Sequence, residues 1–432
     1  MLTRRPADGT NRCCRALNRA PNQDDKSLRF SHAADDRSHK ARNRELERQI
    51  EIMDRRQFIA ASLSASAAAA LNRERFTPTF FAAPPKHILI LGGTSFLGPA
   101  LVEAALVGGH SVTLFNRGIT NPELFPYVDK VRGLRSVNVS EENLSGLRSR
   151  RWDAVVDVWP FEPQLVESAA KELAPRASHY LYVSSIAAYD ARGFAQPGLT
   201  ESGMLNPWDA SIRPYNRGKA ESERRLSKLV GERLTIVRPG PIQGTRDDTP
   251  DLLTWLRRAQ RGGRHIGPGT GDDHVQIVDV KDVARFLVLA IERQAYGTFN
   301  LVGTPITFRD YLGRCNAVMR STAEFVWIPR AFLHEQGLDP APFNSPTIPH
   351  YLGNFPSWHP EPERRGLAQI SNSRAISAGW RLRPFDETAI DYLAWIDLLG
   401  PTFAWTDQLL PEMERRVLGA FAAAHGAHAS YR

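Results

Sequence analysis

His87 to Gly98, HILILGGTSFLG, is the stretch whose reading decides the fold. The run is apolar with no polar alternation, the pattern of a parallel strand buried on both faces. Closely spaced glycines then lead into a helix-compatible segment. Gly92 can take the backbone angles of a tight strand-to-helix turn, and Gly98 lets the helix pack close to the strand. The N–H groups exposed at such a helix start can hold a dinucleotide pyrophosphate. Gly92, Gly93, Thr94, Ser95, Phe96, Leu97 and Gly98 are therefore candidate cofactor contacts. Ser95 stands where the usual fingerprint has its middle glycine, which directs a side chain toward the phosphates. Taken alone, the stretch also suits the βα turn of any α/β protein.

Working outward, short β-rich runs alternate with helical segments: SVTLFN at 111–116, WDAVVDV at 152–158, HYLYVSS at 179–185 and LTIVRPG at 234–240. That alternation predicts an α/β fold, a Rossmann-type doubly wound parallel sheet with a smaller C-terminal α/β substrate lobe. The expected division is a dinucleotide-binding domain over 86–245 and a substrate lobe over 246–432 with segments returning to the sheet. Past Gly240 come Gly/Pro-rich loops (GTRDDTP, RGGRHIGPGTGDDH), a helix near 282–293 and a strand near 298–302. The proline-rich 341–362 stretch reads as an irregular flap.

The 432 residues, 42% of them hydrophobic, suffice for one large α/β domain or two coupled lobes. The net charge of +8 invites a nucleic-acid reading, but its distribution argues against one. Of the 55 Lys and Arg, 16 lie in residues 1–85, leaving 39; of the 47 Asp and Glu, 10 lie there, leaving 37. The body is nearly neutral and has no dense basic run to displace counterions. Cys13 and Cys14 precede the body and Cys315 stands alone in it, so no disulfide can form there.

Residues 1–52 show no apolar periodicity and read as a disordered or untranslated leader. Met53 then opens MDRRQFIAASLSASAAAAL, with Arg55, Arg56, Gln57, Phe58 and Ile59 ahead of an Ala/Ser stretch too short to span a bilayer. The 53–85 segment resembles a twin-arginine export signal. A periplasmic or otherwise exported protein is the expectation, a cytoplasmic one the alternative, and no stable membrane anchor is expected.

Two further features carry chemistry. Tyr215-Asn216-Arg217-Gly218-Lys219 is a YxxxK at the start of a charged helix, and a spacing of four puts Tyr and Lys on one face. An ammonium beside a phenol favours the phenolate and brings it into the range of acid-base work. Ser185, at the end of the HYLYVSS strand, is placed at the ligand edge of such sheets, where it could bond a substrate oxygen.

Glycine turn, strand-end Ser and YxxxK occur in the order and rough spacing of one family. From GGTSFLG to ISAGWRLRPFDETAIDYLAW the chain resembles the extended short-chain dehydrogenases/reductases, the NAD-dependent epimerase/dehydratase group. It is similar to a branch marked by GGTxFLG, VTLFNRG, RRWDAVVD and VQxxDVxD, here Gly92 to Gly98, Val112 to Gly118, Arg150 to Asp157 and Val275 to Asp282. That branch is also similar to the chloroplast stem-loop-binding proteins, which keep the fold and bind RNA. The resemblance implies Ser185, Tyr215 and Lys219 as a catalytic trio: Tyr215 the acid/base, Ser185 polarising the reacting oxygen, Lys219 lowering the Tyr pKa and holding the nicotinamide ribose. It also places Asp157, Arg238 and Pro239 near the cofactor. Asn138, followed by Val139, takes the position where the family often has an adenine-contacting Asp.

The expected function is NAD(P)-dependent epimerase, dehydratase or reductase chemistry on a sugar-like or nucleotide-sugar substrate with a recycled cofactor. The alternative is a non-catalytic or RNA-binding relative. Asn116 and Arg117 stand where NAD enzymes place a carboxylate, which favours NADP over NAD. No metal is called for, and a homodimer is compatible with the family. Gln243, His274, Trp358 and His359 are substrate-side candidates, without a recognisable sugar code.

Overall fold

The computed structural model describes residues 84–135, 141–158, 161–249, 251–338, 354–400 and 409–426. The leader, all but the last two residues of the signal segment, Asn138 and Val139, and 341–353 of the expected flap lie outside the described residues. Residues Ala83–Arg432 form one compact unit.

Thirteen strands are described: β1 His87–Leu91, β2 Ser111–Asn116, β3 Asp129–Arg132, β4 Trp152–Asp157, β5 Ala177–Val183, β6 Leu234–Pro239, β7 Ile242–Gln243, β8 Arg264–Pro268, β9 His274–Val275, β10 Val278–Asp279, β11 Gly297–Leu301, β12 Ile306–Thr307 and β13 Glu324–Ile328. Seven form one sheet in the order β11-β6-β5-β4-β1-β2-β3, with every neighbour pair parallel. This is the doubly wound order with a seventh strand added beyond β6. The strand order reverses between β1 and β4, where such sheets open a ligand crevice at their carboxyl ends. The registers Leu91↔Phe115 and Leu91↔Asp157 bring the ends of β2, β1 and β4 level there.

The alternating side chains of the strands explain the two layers of helices. Ile88, Ile90, Val112, Leu114, Val156 and Leu181 pack beneath the helices Leu97–Val107 and Val280–Arg293. Leu89, Leu91, Val155, Tyr180, Tyr182 and Ile236 pack beneath Pro163–Leu173 and Pro214–Val230. A fully buried aliphatic side chain contributes roughly 2 kcal/mol, so these two faces dominate the stability of the sheet.

Beyond β6 a separate core gathers Trp255, Phe308, Tyr311, Trp327, Trp358 and Tyr392. It includes residues of the helix Asp251–Arg261 and of the pair β8·β13. The same segment returns twice to the main sheet, through Val280–Arg293 and through β11 beside β6. The short pair β7·β10 joins the end of β6 to this region.

Candidate active site

A cleft of about 1060 Å³ opens along the carboxyl ends of the strands. Its β1 side is the glycine turn. Gly92 and Gly93 have φ of 124° and 98°, which side-chain-bearing residues rarely adopt, and a Cβ on Gly98 would lie 2.5 Å from the backbone of Gly93. Helix Leu97–Val107 starts at Phe96 without a side-chain cap, leaving its first N–H groups for an anion. Ser95 is exposed in the cleft, as its replacement of glycine predicts. The narrow approach, the uncapped helix and the small residues fit a dinucleotide pyrophosphate.

Asn116, expected to face a ribose, instead ties the turn to its neighbour. Its Nδ2 donates to the Gly92 carbonyl at 3.0 Å, and its Oδ1 accepts from the Gly118 N–H at 2.9 Å. The cause is register: Asn116 follows Phe115, which pairs Leu91, so its side chain meets the glycine loop rather than a ligand. A second amide, Asn121, donates to the Thr94 carbonyl at 2.7 Å. Arg117 is exposed and lines the cleft.

Ser185, Tyr215 and Lys219 all line the cleft. Ser185 caps the short turn Ile186–Ala188, its Oγ accepting from the Ala187 N–H at 3.1 Å. Pro214 at the first turn of Pro214–Val230 starts the helix that presents Tyr215. Gly218 lets that helix press on the Phe161 loop, since a Cβ there would meet the Phe161 carbonyl at 2.3 Å. Tyr215 is 37% exposed and meets the Phe161 ring edge-on at 5.9 Å. Lys219 is buried; its Nζ donates to the Val183 carbonyl at 2.6 Å and lies 4.8 Å from the Tyr182 ring and 5.8 Å from the Tyr215 ring.

The trio converges, but its electrostatics differ from the expected depression of the phenol pKa by an ammonium. Desolvation in the cleft wall lifts the Tyr215 phenol above its ordinary value, with Ser185 alone acting to lower it. Desolvation also pulls Lys219 down to about 7, against the opposing pull of Asp157, Glu223 and Glu162. Spacing put the two side chains on one face; burial decides which protonation states they favour.

Two expected cofactor contacts stand behind the cleft wall rather than in it. Asp157 is fully buried, its carboxylate held by both terminal nitrogens of Arg135 at 2.7 and 3.0 Å and by the Tyr180 hydroxyl at 3.2 Å. Its neighbour Val158, and Arg135 itself, do line the cleft. Arg238 pairs with Glu223 at 2.6 Å, stacks on Tyr189 at 4.5 Å, and donates to the Glu201 carbonyl at 3.0 Å. Ser184 bonds the same Glu223, so this buried network ties the end of β5 to Pro214–Val230 and β6. Pro239 reaches the cleft.

On the β6 side, Gln243 and His359 line the cleft as expected, whereas His274 sits in the β9·β12 ladder and the Trp358 indole donates to Asp273 at 2.7 Å. Asp247, Asp248 and Asp251 also line it, and the sequence reading missed them. Burial lifts Asp247 to about 7, with Asp251 and Asp248 adding to the rise, and lifts Asp251 to about 6. The sequence signal for Asp247 and Asp248 was the doubled acid of GTRDDTP inside a loop, and Asp251 directly follows it.

Comparison with known proteins bears on this geometry. Residues 162–301 match the model of the NAD dependent epimerase/dehydratase family. The chain is 30% identical over 252 residues to the chloroplast stem-loop binding protein of 41 kDa b of Arabidopsis thaliana, 55% of this chain and 64% of that one, so it spans less than two thirds of that relative. Among solved structures it shares its fold with the Bordetella bronchiseptica enzyme WbmG in complex with NAD and UDP. That match has 17% identity and a TM-score of 0.51, over 73% of this chain and 96% of the other. It likewise shares the fold of UDP-glucuronic acid 4-epimerase from Bacillus cereus in complex with NAD, at 15% identity and TM-score 0.51, over 73% and 99%. With the family match over 162–301, the shared fold and the curated relative, the resemblance to the NAD dependent epimerase/dehydratase family carried by the sequence motifs is borne out.

Proposed function

We propose that the protein is an NAD(P)-dependent epimerase- or dehydratase-like enzyme acting on a sugar-like substrate. The observation that carries this reading is the convergence of the glycine turn, Ser185, Tyr215 and Lys219 on one cleft. Bound on the glycine turn, a nicotinamide dinucleotide supplies the hydride acceptor and donor. Tyr215 takes the proton from the substrate hydroxyl as it is oxidised and returns it on reduction. Ser185 orients that oxygen and stabilises charge developing on it. Lys219, held against the Val183 carbonyl, positions the ribose. NADP is the finer assignment: Asn116 is spent on backbone groups, and the Arg117 guanidinium can pair with a 2′-phosphate.

An export signal at Arg55 and Arg56 would carry the protein, folded and loaded, beyond the cytoplasmic dinucleotide pool. The cofactor would then have to return to its starting redox state within each cycle. The test isolates the exported protein, measures bound dinucleotide per chain, and assays candidate sugars without added cofactor. Stoichiometric dinucleotide and turnover without net consumption are expected. An empty protein, or turnover only with equimolar consumption of added NAD(P)H, defeats the reading. The relative's name favours RNA binding as the second reading, and the nearly even charge of the body past residue 85 weighs against it.

A further inference from the structure

Two glutamines line the cleft, both buried, and they behave oppositely. The Gln276 amide is fully engaged: it donates to the carbonyls of Gly303 and Ile370 at 2.8 Å and accepts from the Ile370 N–H at 2.9 Å. Gln243, 1% exposed, has no hydrogen-bond partner on either amide atom among the described residues. The Tyr311 hydroxyl is close enough to interact with that amide without meeting hydrogen-bond geometry. Beside it, Asp247 spends one carboxylate oxygen on the N–H and hydroxyl of Thr249, at 3.0 and 2.8 Å, and leaves Oδ2 buried and unpartnered. Asp251 reaches Ser357 at 3.5 Å with one oxygen and leaves Oδ1 in the same state.

Buried polar atoms without partners are costly, and the side chains that carry these line the cleft. Their chemistry narrows the ligand. Three acceptors are open, one on each of Asp247, Asp251 and Gln243, and a primary ammonium has three donors. A phosphate would meet the like charge of Asp247, Asp248 and Asp251. A metal ion would want a cluster of ligands, and among the described residues no group of three His, Cys, Asp or Glu is arranged to hold one.

The site also lies on the right side of the cleft. β6, which leads into Gln243, is three strands from β1 in the sheet, about 14 Å at ordinary strand spacing. Ser185 and Tyr215, beyond the end of β5, stand between the glycine turn and the acids.

We propose that the β6 side of the cleft binds a protonated amine through Asp247, Asp251 and Gln243, so that the substrate is an amino-bearing polyhydroxy compound rather than a nucleotide-linked sugar. The substrate class rests on the function proposed above; the amine site does not.

The test is calorimetric titration of the purified full chain near neutral pH with matched pairs, glucosamine against glucose and glucamine against sorbitol, and with UDP. The ammonium member of each pair should bind at least ~10-fold more tightly, as a charge-assisted contact predicts. Asp247→Asn/Asp251→Asn should abolish that preference while NAD(P) affinity, read by tryptophan fluorescence, stays within about twofold. Single Asp247→Asn and Asp251→Asn variants serve if the double variant does not fold. No preference in either pair, undetectable binding of both amines, a preference that survives the substitutions, or UDP binding more tightly than the amines would overturn the proposal. Amine preference in a protein that does not bind NAD(P) would leave this site standing and remove the enzyme reading instead.

Discussion

The two sides of the cleft are built from the same material, loops leaving parallel strands, and carry opposite character. On the β1 and β2 side, a helix start, Arg117 and Arg135 surround a backbone turn whose polar atoms are clasped by Asn116 and Asn121. On the β6 side, three aspartates and an idle amide face the same space. The first side is braced internally and exposes the Arg117 guanidinium, Arg135 being paired with Asp157; the second holds polar atoms that no group among the described residues satisfies. Shared scaffolds therefore do not dictate shared chemistry, because the sheet fixes where the loops stand and the loop residues decide what they attract.

The sharpest way to break the comparison is at the point where the sides meet. Tyr215→Phe removes a proton carrier and keeps the ring, so turnover should fall by roughly 10²–10⁴ while NAD(P) binding and the melting temperature hold. A wild-type rate on a true substrate would dissolve the central role of that residue. Next, Gly98→Val would drive a side chain into the Gly93 backbone and should weaken dinucleotide binding by about 100-fold. Amine binding on the other side should be unaffected, and a parallel loss there would mean that the two sides do not act separately.

Titration separates the sides further. The folded-state pKa of Asp247 lies above its unfolded value, so its carboxylate destabilises the ligand-free protein increasingly as pH rises from about 4 to about 7. Facing it are Asp248, Asp251, Tyr311 and Tyr392, with Thr249 bonded to it and Arg257 acting on Tyr392. Asp247→Asn should therefore raise stability by on the order of 2 kcal/mol at pH 8 and leave it unchanged at pH 4, by denaturant unfolding. Lys219 has the opposite window. Its folded value of about 7 lies below the usual 10.5, so its burden is complete below pH 7 and fades as pH climbs toward 10. Lys219→Met should show its stability gain at pH 6 and lose it by pH 10. The smallest effect is expected at Arg117, where Arg117→Ala should weaken NADP by about tenfold and NAD hardly at all; equal losses would remove the 2′-phosphate assignment.

Much of this is legible in the sequence. The apolar runs from Ile88, Val112, Ala154 and Leu234 mark strands buried on both faces, and each is a strand of the main sheet. Gly92, Gly98, Ser185 and Tyr215 sit at strand ends or helix starts, where local pattern suffices to place them. Asn116 escaped because its role depends on which residue of β1 lies beside it, a fact of register. Asp157 and Arg238 escaped because sequence proximity to a site does not reveal which way a side chain turns. Asp247 and Asp251 escaped for a plainer reason: acids in and just after a Gly, Thr and Pro loop read as solvated, and only the packing of Tyr311, Tyr392 and their neighbours takes them out of water.

The Asn116 clasp constrains how this protein could change its cofactor in evolution or by engineering. The shortest mutational route to a carboxylate at the ribose is Asn116→Asp. That exchange would set an oxygen against the Gly92 carbonyl that the amide now bonds, and it would loosen the turn meant to receive the phosphates. Specificity and architecture are joined at one side chain. A lineage switching between dinucleotides would have to place its new carboxylate elsewhere, with Arg117 the nearest position that bears no such duty.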